Sequence, residues 1–232
     1  MRTCFILYCC FLFGCSVSDH ESTANKQPSE IMGDQYFYLA LGDSYTIGQS
    51  VSPTENFPTQ LKDSLNNHLI KTTTTEIIAT TGWRTDQLLS VSEHTNRTSY
   101  DMVSLLIGVN NQYQQRPFSQ YTTEFPLLLN KAIALAKNNP KNVVVISIPD
   151  YAYTPYGEQL NSANISEEID EYNAFAKATA EAKGVLFIDI TPITRQGLTQ
   201  PNLVAIDGLH PSGEAYSLFV TAMLPSVLKI LE

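Results

Sequence analysis

The sequence predicts an α/β protein, built as a single three-layer α/β/α sandwich around a parallel sheet of about five strands. The first observation behind this prediction is that short apolar or β-branched runs alternate with helix-length segments over residues 35–232. Such alternation is typical of parallel strands that are joined by crossover helices. The second is that neither an internal repeat nor a linker divides these residues, which predicts one domain.

Five segments have the composition of buried strands, because each is a short apolar or β-branched run that ends at glycine, proline or polar residues. The fourth, NVVVISI, is the clearest, since its β-branched residues lie together and Pro149 ends it. The predicted strands cover residues 35–41, 72–81, 101–107, 142–148 and 185–190.

Other segments have helical features. The first of them places apolar side chains at every fourth position, which is a helical spacing. Ser166 is the expected N-cap of a later helix, and Pro211 is the expected start of the last one. Pro126 either lies inside its predicted helix or marks a kink or a break there. The predicted helices cover residues 55–70, 85–91, 118–137, 166–183 and 211–231.

The residues before the predicted domain have the features of an export signal. Arg2 supplies a short positive segment, and residues 5–13 form an apolar segment that is too short to span a bilayer as a helix. The ending LFGC resembles a bacterial lipobox, in which the chain is cut before the cysteine and the cysteine carries lipid. We therefore expect a lipoprotein-type signal peptide over residues 1–15, with lipidation at Cys15. A plain signal peptide and an uncleaved anchor are the alternatives.

Residues 16–34 are polar and lack periodicity, so they predict a flexible tether between the lipid and the domain. A protein of this design is exported and anchored by its lipid to a membrane of the bacterial cell envelope, on the periplasmic or the surface side. Its mature chain begins at Cys15. The sequence does not indicate which membrane holds it, nor its oligomeric state.

Composition argues against several classes of function. The net charge of -9 and the pI near 4.9 argue against nucleic acid as a partner, because phosphate binding needs a basic surface. All four cysteines lie within the first 15 residues, so the domain has neither a disulfide nor a cysteine metal site. His68 and His94 lack the spacing of metal ligands. Glu167 and Glu168 are helix neighbours that do not face each other, unlike the paired carboxylates of glycosidases.

Glycines and polar residues follow the predicted strands. Because ligands of parallel sheets bind at the carboxyl ends of the strands, we expect these residues to meet at one edge. They are Gly42-Asp43-Ser44 after the first strand, Gly82 after the second, Gly108-Val109-Asn110-Asn111 after the third, and a later Asp207-Gly208-Leu209-His210.

These four pieces, in this order, resemble the GDSL or SGNH hydrolases, and the resemblance covers residues 36–232. It implies a flavodoxin-like SGNH hydrolase fold that works without a metal or another cofactor. The third block of the family often reads Gly-x-Asn-Asp, whereas this chain has Asn111 at the last position. We expect that departure to affect local loop geometry more than activity. Asp43 is expected to bond the backbone of its turn.

The resemblance also implies a role for each residue of the site. Ser44 is the nucleophile, His210 is its general base, and Asp207 orients the imidazole. The amides of Ser44 and Gly82 and the side chain of Asn110 form the oxyanion hole. The chemistry agrees, since a serine hydroxyl needs a base that is held in one tautomer, and a developing oxyanion needs preformed donors.

The expected function is that of a serine esterase, which hydrolyses carboxylic esters through an acyl-enzyme. Short-chain acyl esters, acetylated carbohydrates, lysophospholipids and thioesters remain open as substrates. An O-acyltransferase that uses a sugar acceptor is one alternative, and a non-catalytic surface lipoprotein that binds carbohydrate or lipid is another. Residues 150–164 form a long connection that favours a role in substrate selection. The aromatic residues after strand ends are candidates for substrate binding or for packing: Tyr45, Trp83, Tyr113 and Tyr151.

Overall fold

A computed structural model of the chain describes residues 35–92, 94–160 and 162–231. Within them, five parallel strands form one sheet in the spatial order β2-β1-β3-β4-β5, which is the order of flavodoxin-like doubly wound sheets. The predicted fold class is therefore confirmed. The strands are β1 (Tyr36–Gly42), β2 (Thr73–Ala79), β3 (Met102–Leu106), β4 (Val143–Ile146) and β5 (Leu186–Ile188).

Helices cover both faces of the sheet. α2 packs with α8, while α3, α5 and α6 are successive neighbours. α8 is long and apolar enough to cross a membrane, judged by length and composition alone. In this structure it buries Tyr216, Phe219 and Met223 in the core. The helices are α1 (Ser44–Ile47), α2 (Phe57–His68), α3 (Thr85–Val91), α4 (Val109–Tyr113), α5 (Phe118–Leu135), α6 (Ser162–Ala182), α7 (Thr191–Thr194) and α8 (Gly213–Leu231).

The central strands are buried on both faces, as parallel strands between helical layers are. Every residue of β3 and β4 is buried. β1 pairs with β2 on one side and with β3 on the other, and the register sets Gly42 level with Ala79 and Leu106. The carboxyl ends of these three strands therefore lie side by side, and the residues that follow them share one edge.

Two predicted helix starts differ from the structure. α6 begins at Ser162, so the predicted N-cap is wrong: Ser166 lies inside the helix, and its hydroxyl donates to Asp150 Oδ2 at 2.8 Å. α8 begins after Pro211, which instead forms an isolated bridge with Val204. Pro126 lies inside α5, which is the first of the two predicted alternatives, and apolar residues before and after it are buried in the core. The predicted signal peptide, Cys15 and the tether lie outside the described residues.

Candidate active site

The predicted nucleophile lies at the junction of β1 and α1. Asp43 caps the short helix, since its Oδ1 accepts the amide of Tyr45 at 3.0 Å, as expected for a structural turn residue. Ser44 is the first residue of α1 and is 3% exposed. A side chain at position 42 has no space, because a Cβ there lies 2.6 Å from the Leu106 carbonyl oxygen. The glycine thus lets β1 and β3 approach closely just before the serine.

Asp207 and His210 form a hydrogen-bonded pair in the loop that precedes α8. The His210 Nδ1 lies 2.6 Å from Asp207 Oδ2. The other carboxylate oxygen accepts the amides of Leu209 and His210, each at 2.9 Å, so the carboxylate also holds its own loop in place. Because an ionised carboxylate only accepts, Nδ1 carries the proton and Nε2 is the basic nitrogen.

Ser50 is a further partner of that carboxylate, and its hydroxyl donates to Asp207 Oδ2 at 2.6 Å. Partial burial opposes ionisation of Asp207, yet the hydrogen bonds from Ser50 and His210 outweigh it and lower its pKa to about 2. Ser50 has a φ of 68°, a left-handed conformation that is uncommon for a residue with a side chain. No motif in the sequence indicated this residue, because it lies far from Asp207 along the chain.

One small cavity of about 200 Å³ brings the predicted residues together. Ser44, Gly82, Asn110 and His210 all line it, while Asp207 lies behind the imidazole. In the described part of the chain no hydrogen bond joins Ser44 to His210, a contact that in many enzymes tightens only when substrate binds. The remaining lining residues are Tyr45, Thr81, Val109, Tyr113, Gln114, Tyr151 and Leu209.

The two further oxyanion candidates come from neighbouring strand ends. Gly82 has a φ of 83° and nothing lies within 4 Å of a Cβ placed there, so this backbone faces open space. Its carbonyl accepts from Gln114 Nε2 at 2.9 Å, which ties it to the end of α4. The sequence did not indicate this contact, because Gln114 belongs to none of the motifs.

Asn110 donates from Nδ2 to Asp43 Oδ2 at 3.3 Å. This bond orients the amide, because only the nitrogen end can donate to a carboxylate, and it leaves the second N–H for a ligand. Burial raises the pKa of the Asp43 carboxyl to about 7, although hydrogen bonds from the Tyr45 amide and from Asn110 oppose the shift. The orientation of Asn110 is thereby coupled to the ionisation of Asp43.

Asn111, the position at which this chain departs from the usual family pattern, lies behind the cavity. Its Oδ1 accepts the amide of Thr85 at 3.0 Å, and its Nδ2 donates to Thr85 Oγ1 at 2.7 Å. That hydroxyl in turn donates to Glu124 Oε2. Asn111 therefore joins the start of α3, just after Gly82, to α4.

The predicted substrate-binding aromatics divide into two groups. Tyr45, Tyr113 and Tyr151 line the cavity, and the ring centroid of Tyr45 lies 5.0 Å from that of His210. Trp83 is absent from this lining and packs, partly buried, against the core. Among residues 35–92, 94–160 and 162–231, no three His, Cys, Asp or Glu side chains group as metal ligands would.

The segment after β4 supplies Tyr151 and is fixed by one buried carboxylate. Asp150 is fully buried and accepts the Ala152 amide at 3.0 Å, the Ser166 hydroxyl at 2.8 Å and Arg195 Nε at 2.9 Å. The charged guanidinium compensates the buried charge. The long connection predicted for substrate selection is thus anchored at its start.

Comparison with known structures agrees with the fold. A crystal structure of Axe2, an acetylxylan esterase from Geobacillus stearothermophilus, matches with a TM-score of 0.64 at 20% identity, covering 84% of this chain and 95% of that one. TesA matches with a TM-score of 0.67 at 15% identity, covering 84% and 99%. The esterase EstA from Pseudoalteromonas sp. matches with a TM-score of 0.61 at 17% identity, covering 85% and 99%.

No curated protein sequence matches the chain. The model of the GDSL-like lipase/acylhydrolase family matches residues 40–218, which span well over half of the chain and include the serine, the histidine and both oxyanion candidates. This chain therefore belongs to the GDSL-like lipase/acylhydrolase family and is a hydrolase that acts on esters.

Proposed function

We propose that this protein is a serine esterase that uses Ser44, His210 and Asp207 as its catalytic triad. The observation that carries the proposal is the 2.6 Å contact between His210 Nδ1 and Asp207 Oδ2, in a loop whose imidazole lines the same small cavity as Ser44. A hydroxyl, an imidazole with a free Nε2 and an ionised carboxylate are the parts that nucleophilic ester cleavage needs.

The reaction follows from these positions. Ser44 Oγ attacks the ester carbonyl while His210 Nε2 takes the hydroxyl proton. The carbonyl oxygen becomes an oxyanion, which the amides of Ser44 and Gly82 and the second N–H of Asn110 stabilise. The intermediate then collapses, and the alcohol leaves with the proton from His210.

The acyl-enzyme that remains is an ester of Ser44. His210 deprotonates a water molecule, which attacks the acyl carbonyl through a second oxyanion. Collapse of that intermediate releases the carboxylic acid and returns the proton to Ser44. Asp207 keeps Nε2 basic throughout, because its carboxylate accepts from Nδ1 and stabilises the imidazolium.

For the substrate, we propose an ester with a short acyl group on a small molecule or a glycan, such as an acetylated carbohydrate. The cavity of about 200 Å³ around Ser44 is small by the standard of ligand pockets, which favours a short acyl group. The description of the Geobacillus protein as an acetylxylan esterase supports this class. Transfer of the acyl group to a sugar hydroxyl uses the same intermediate and remains the alternative.

We also propose that the protein is exported and anchored to a membrane of the cell envelope by lipid on Cys15. The support is the LFGC ending of the apolar N-terminal segment. Mass spectrometry of the protein extracted from bacterial membranes tests this proposal. An N-terminal peptide that begins at Cys15 with attached diacylglycerol is expected, and a chain that begins elsewhere without lipid contradicts it.

Hydrolysis of p-nitrophenyl esters, from acetyl to long acyl chains, tests the esterase proposal. We expect the full chain, extracted in detergent, to hydrolyse the short esters and Ser44→Ala to lose that activity. Ser217→Ala, at an exposed position on α8, is the matched control and should behave like the parent. Labelling by a fluorophosphonate should map to Ser44. A folded parent that neither hydrolyses any chain length nor reacts with the probe contradicts the proposal.

A further inference from the structure

A second and larger cavity adjoins the site. It has a volume of about 770 Å³ and lies between the end of α4 on one side and the first turns of α6 on the other. Tyr113 and Tyr151 line this cavity and the smaller one that contains Ser44. The two spaces therefore share a wall, and the side chains of Tyr113 and Tyr151 lie between the larger cavity and the one that Ser44 lines.

Aromatic rings and hydrogen-bonding groups both line the larger cavity, called the cleft below. Tyr172 and Ile165 are buried at its base, while the ring of Tyr113 is exposed. Charged groups of both signs are present as well. The residues on which the argument depends are Gln112, Tyr113, Arg116, Tyr156, Glu168 and Tyr172.

The wall between cleft and catalytic cavity is held by hydrogen bonds. The Tyr151 hydroxyl donates to Gln112 Oε1 at 2.8 Å, and Gln112 Nε2 donates to Glu168 Oε2 at 2.7 Å. Both Gln112 and Tyr151 are buried, so this wall exists before any ligand binds. The Glu168 carboxylate has capacity for further donors, because two oxygens accept up to about four hydrogen bonds.

Three tyrosines of the cleft lining contact one another. The Tyr113 and Tyr156 hydroxyls lie 2.6 Å apart, and the Tyr113 ring meets the Tyr151 ring edge-on at 5.7 Å. Tyrosine combines a flat apolar face with a polar tip. That combination matches a sugar ring, which has an apolar C–H face and hydroxyls around its edge.

Other ligands fit less well. A long acyl chain would take water away from Arg116, Glu168 and Glu171 without replacing its hydrogen bonds, which is unfavourable. A polyanion would meet the two carboxylates. A cationic headgroup would be attracted by the carboxylates and tyrosines but would lie in the same cleft as the arginine.

We propose that the cleft binds the alcohol half of the ester, and that this half is a carbohydrate of more than one sugar ring. The volume lies in the upper part of the range of about 300–1,000 Å³ that is typical of ligand pockets. The acylated hydroxyl reaches Ser44 past Tyr113 and Tyr151. This inference rests on the proposed esterase function and adds to it the site and class of the leaving group.

The test compares two substrates in cleft variants of the full chain. We measure kcat/KM on acetylated oligosaccharides of two to four sugars and on p-nitrophenyl acetate, for the parent and for Tyr156→Ala and Glu168→Ala. The quantity compared is the ratio of the first value to the second. We expect that ratio to fall by about tenfold or more, mainly through KM, because p-nitrophenyl acetate lacks the sugar. The matched control is Glu167→Ala, the neighbouring exposed position outside the cleft lining, which should keep the parent ratio.

Calorimetry with the unacetylated oligosaccharide gives a readout that does not depend on catalysis. The parent should bind it and Tyr156→Ala should bind it about tenfold more weakly. A parent inert on p-nitrophenyl acetate that still binds the sugar contradicts the esterase function alone. The cleft proposal is overturned if both variants keep the parent ratio or if the parent does not bind the oligosaccharide. It is also overturned if the parent prefers esters of a cationic alcohol, such as choline, to sugar esters.

Discussion

Asn111 and Thr85 exchange two hydrogen bonds, one from the threonine amide to Oδ1 and one from Nδ2 to the threonine hydroxyl. The Thr85 hydroxyl donates its single hydrogen to Glu124. It can therefore only accept a hydrogen bond from the side chain at position 111. An asparagine supplies one, whereas an ionised aspartate does not. The asparagine at the end of the third block is therefore matched chemically to Glu124.

This matching predicts that Asn111→Asp destabilises the fold by about 1–3 kcal/mol, since the new carboxylate lacks a donor and lies near Glu124. Adding Glu124→Gln should recover most of that loss, because one carboxylate is then removed. Urea denaturation of the single and double variants measures the coupling. Asn202→Asp, at an exposed position, is the control. Equal losses with and without Glu124→Gln would contradict the matching.

Asp43 predicts a pH-dependent stability. Burial raises its pKa to about 7 in the folded chain, above the ordinary value of 3.8. A carboxyl with a raised folded pKa contributes stability that is fully present below its unfolded pKa and is lost as pH rises through the folded pKa. The loss from this group thus falls between about pH 4 and pH 8.

Asp43→Asn removes that titration while it keeps an oxygen to accept the Tyr45 amide. We expect the variant to gain stability relative to the parent at about pH 8, on the order of 1–3 kcal/mol, and to gain none at about pH 4. Thermal unfolding of both proteins across this range is the measurement. A difference that is constant with pH would show that Asp43 does not titrate there.

Ser50 is predicted to be a positioning residue for Asp207. Without its hydroxyl the carboxylate becomes more basic, so the acid limb of the kcat/KM profile should move to higher pH. Ser50→Gly is the informative variant, because glycine relieves the positive φ while it removes the hydroxyl. We expect activity to fall by about threefold to tenfold without loss of stability.

Asn138→Gly controls for the backbone effect of that change, since Asn138 also has a positive φ and is exposed. It should leave the pH profile of the parent unchanged. If Ser50→Gly keeps the parent profile as well, the contact with Asp207 has no part in the reaction.

Asn110→Ala should lower kcat by about 100-fold to 1,000-fold with little change in KM, which is the usual cost of losing one oxyanion donor. Steady-state kinetics on a short p-nitrophenyl ester measure it, and Asn202→Ala is the surface control. Circular dichroism shows whether the variant is folded. If the folded variant keeps the kcat of the parent, Asn110 is not an oxyanion donor.

The sequence predicted the layers of the fold because strands of contiguous Val and Ile, and a helix with a four-residue apolar spacing, have strong local patterns. It did not predict α1, α4 or α7, which are four or five residues long and too short to show a period. The N-cap at Ser166 was wrong because the hydroxyl has a tertiary partner, Asp150, that no local pattern reveals.

The candidate site was predictable where a residue belongs to a short motif, as Ser44 does at the end of β1 and His210 does in the loop before α8. Ser50 and Gln114 were missed, since each acts through a contact with a residue distant in sequence. Trp83 was selected for its place after a strand, but the turn directs it to the core. Position along the chain indicates which edge a residue occupies, whereas side-chain direction depends on the turn that follows.

The order of the strands has a consequence for biogenesis. Ser44 leaves the ribosome early and His210 late, and their segments meet only when α8 docks beside α2. A nascent chain thus carries the proposed nucleophile without its proposed base, and a serine hydroxyl without a base is a weak nucleophile. The proposed esterase activity therefore depends on the docking of the last helix to be synthesised, and a chain that lacks this helix should have no such activity.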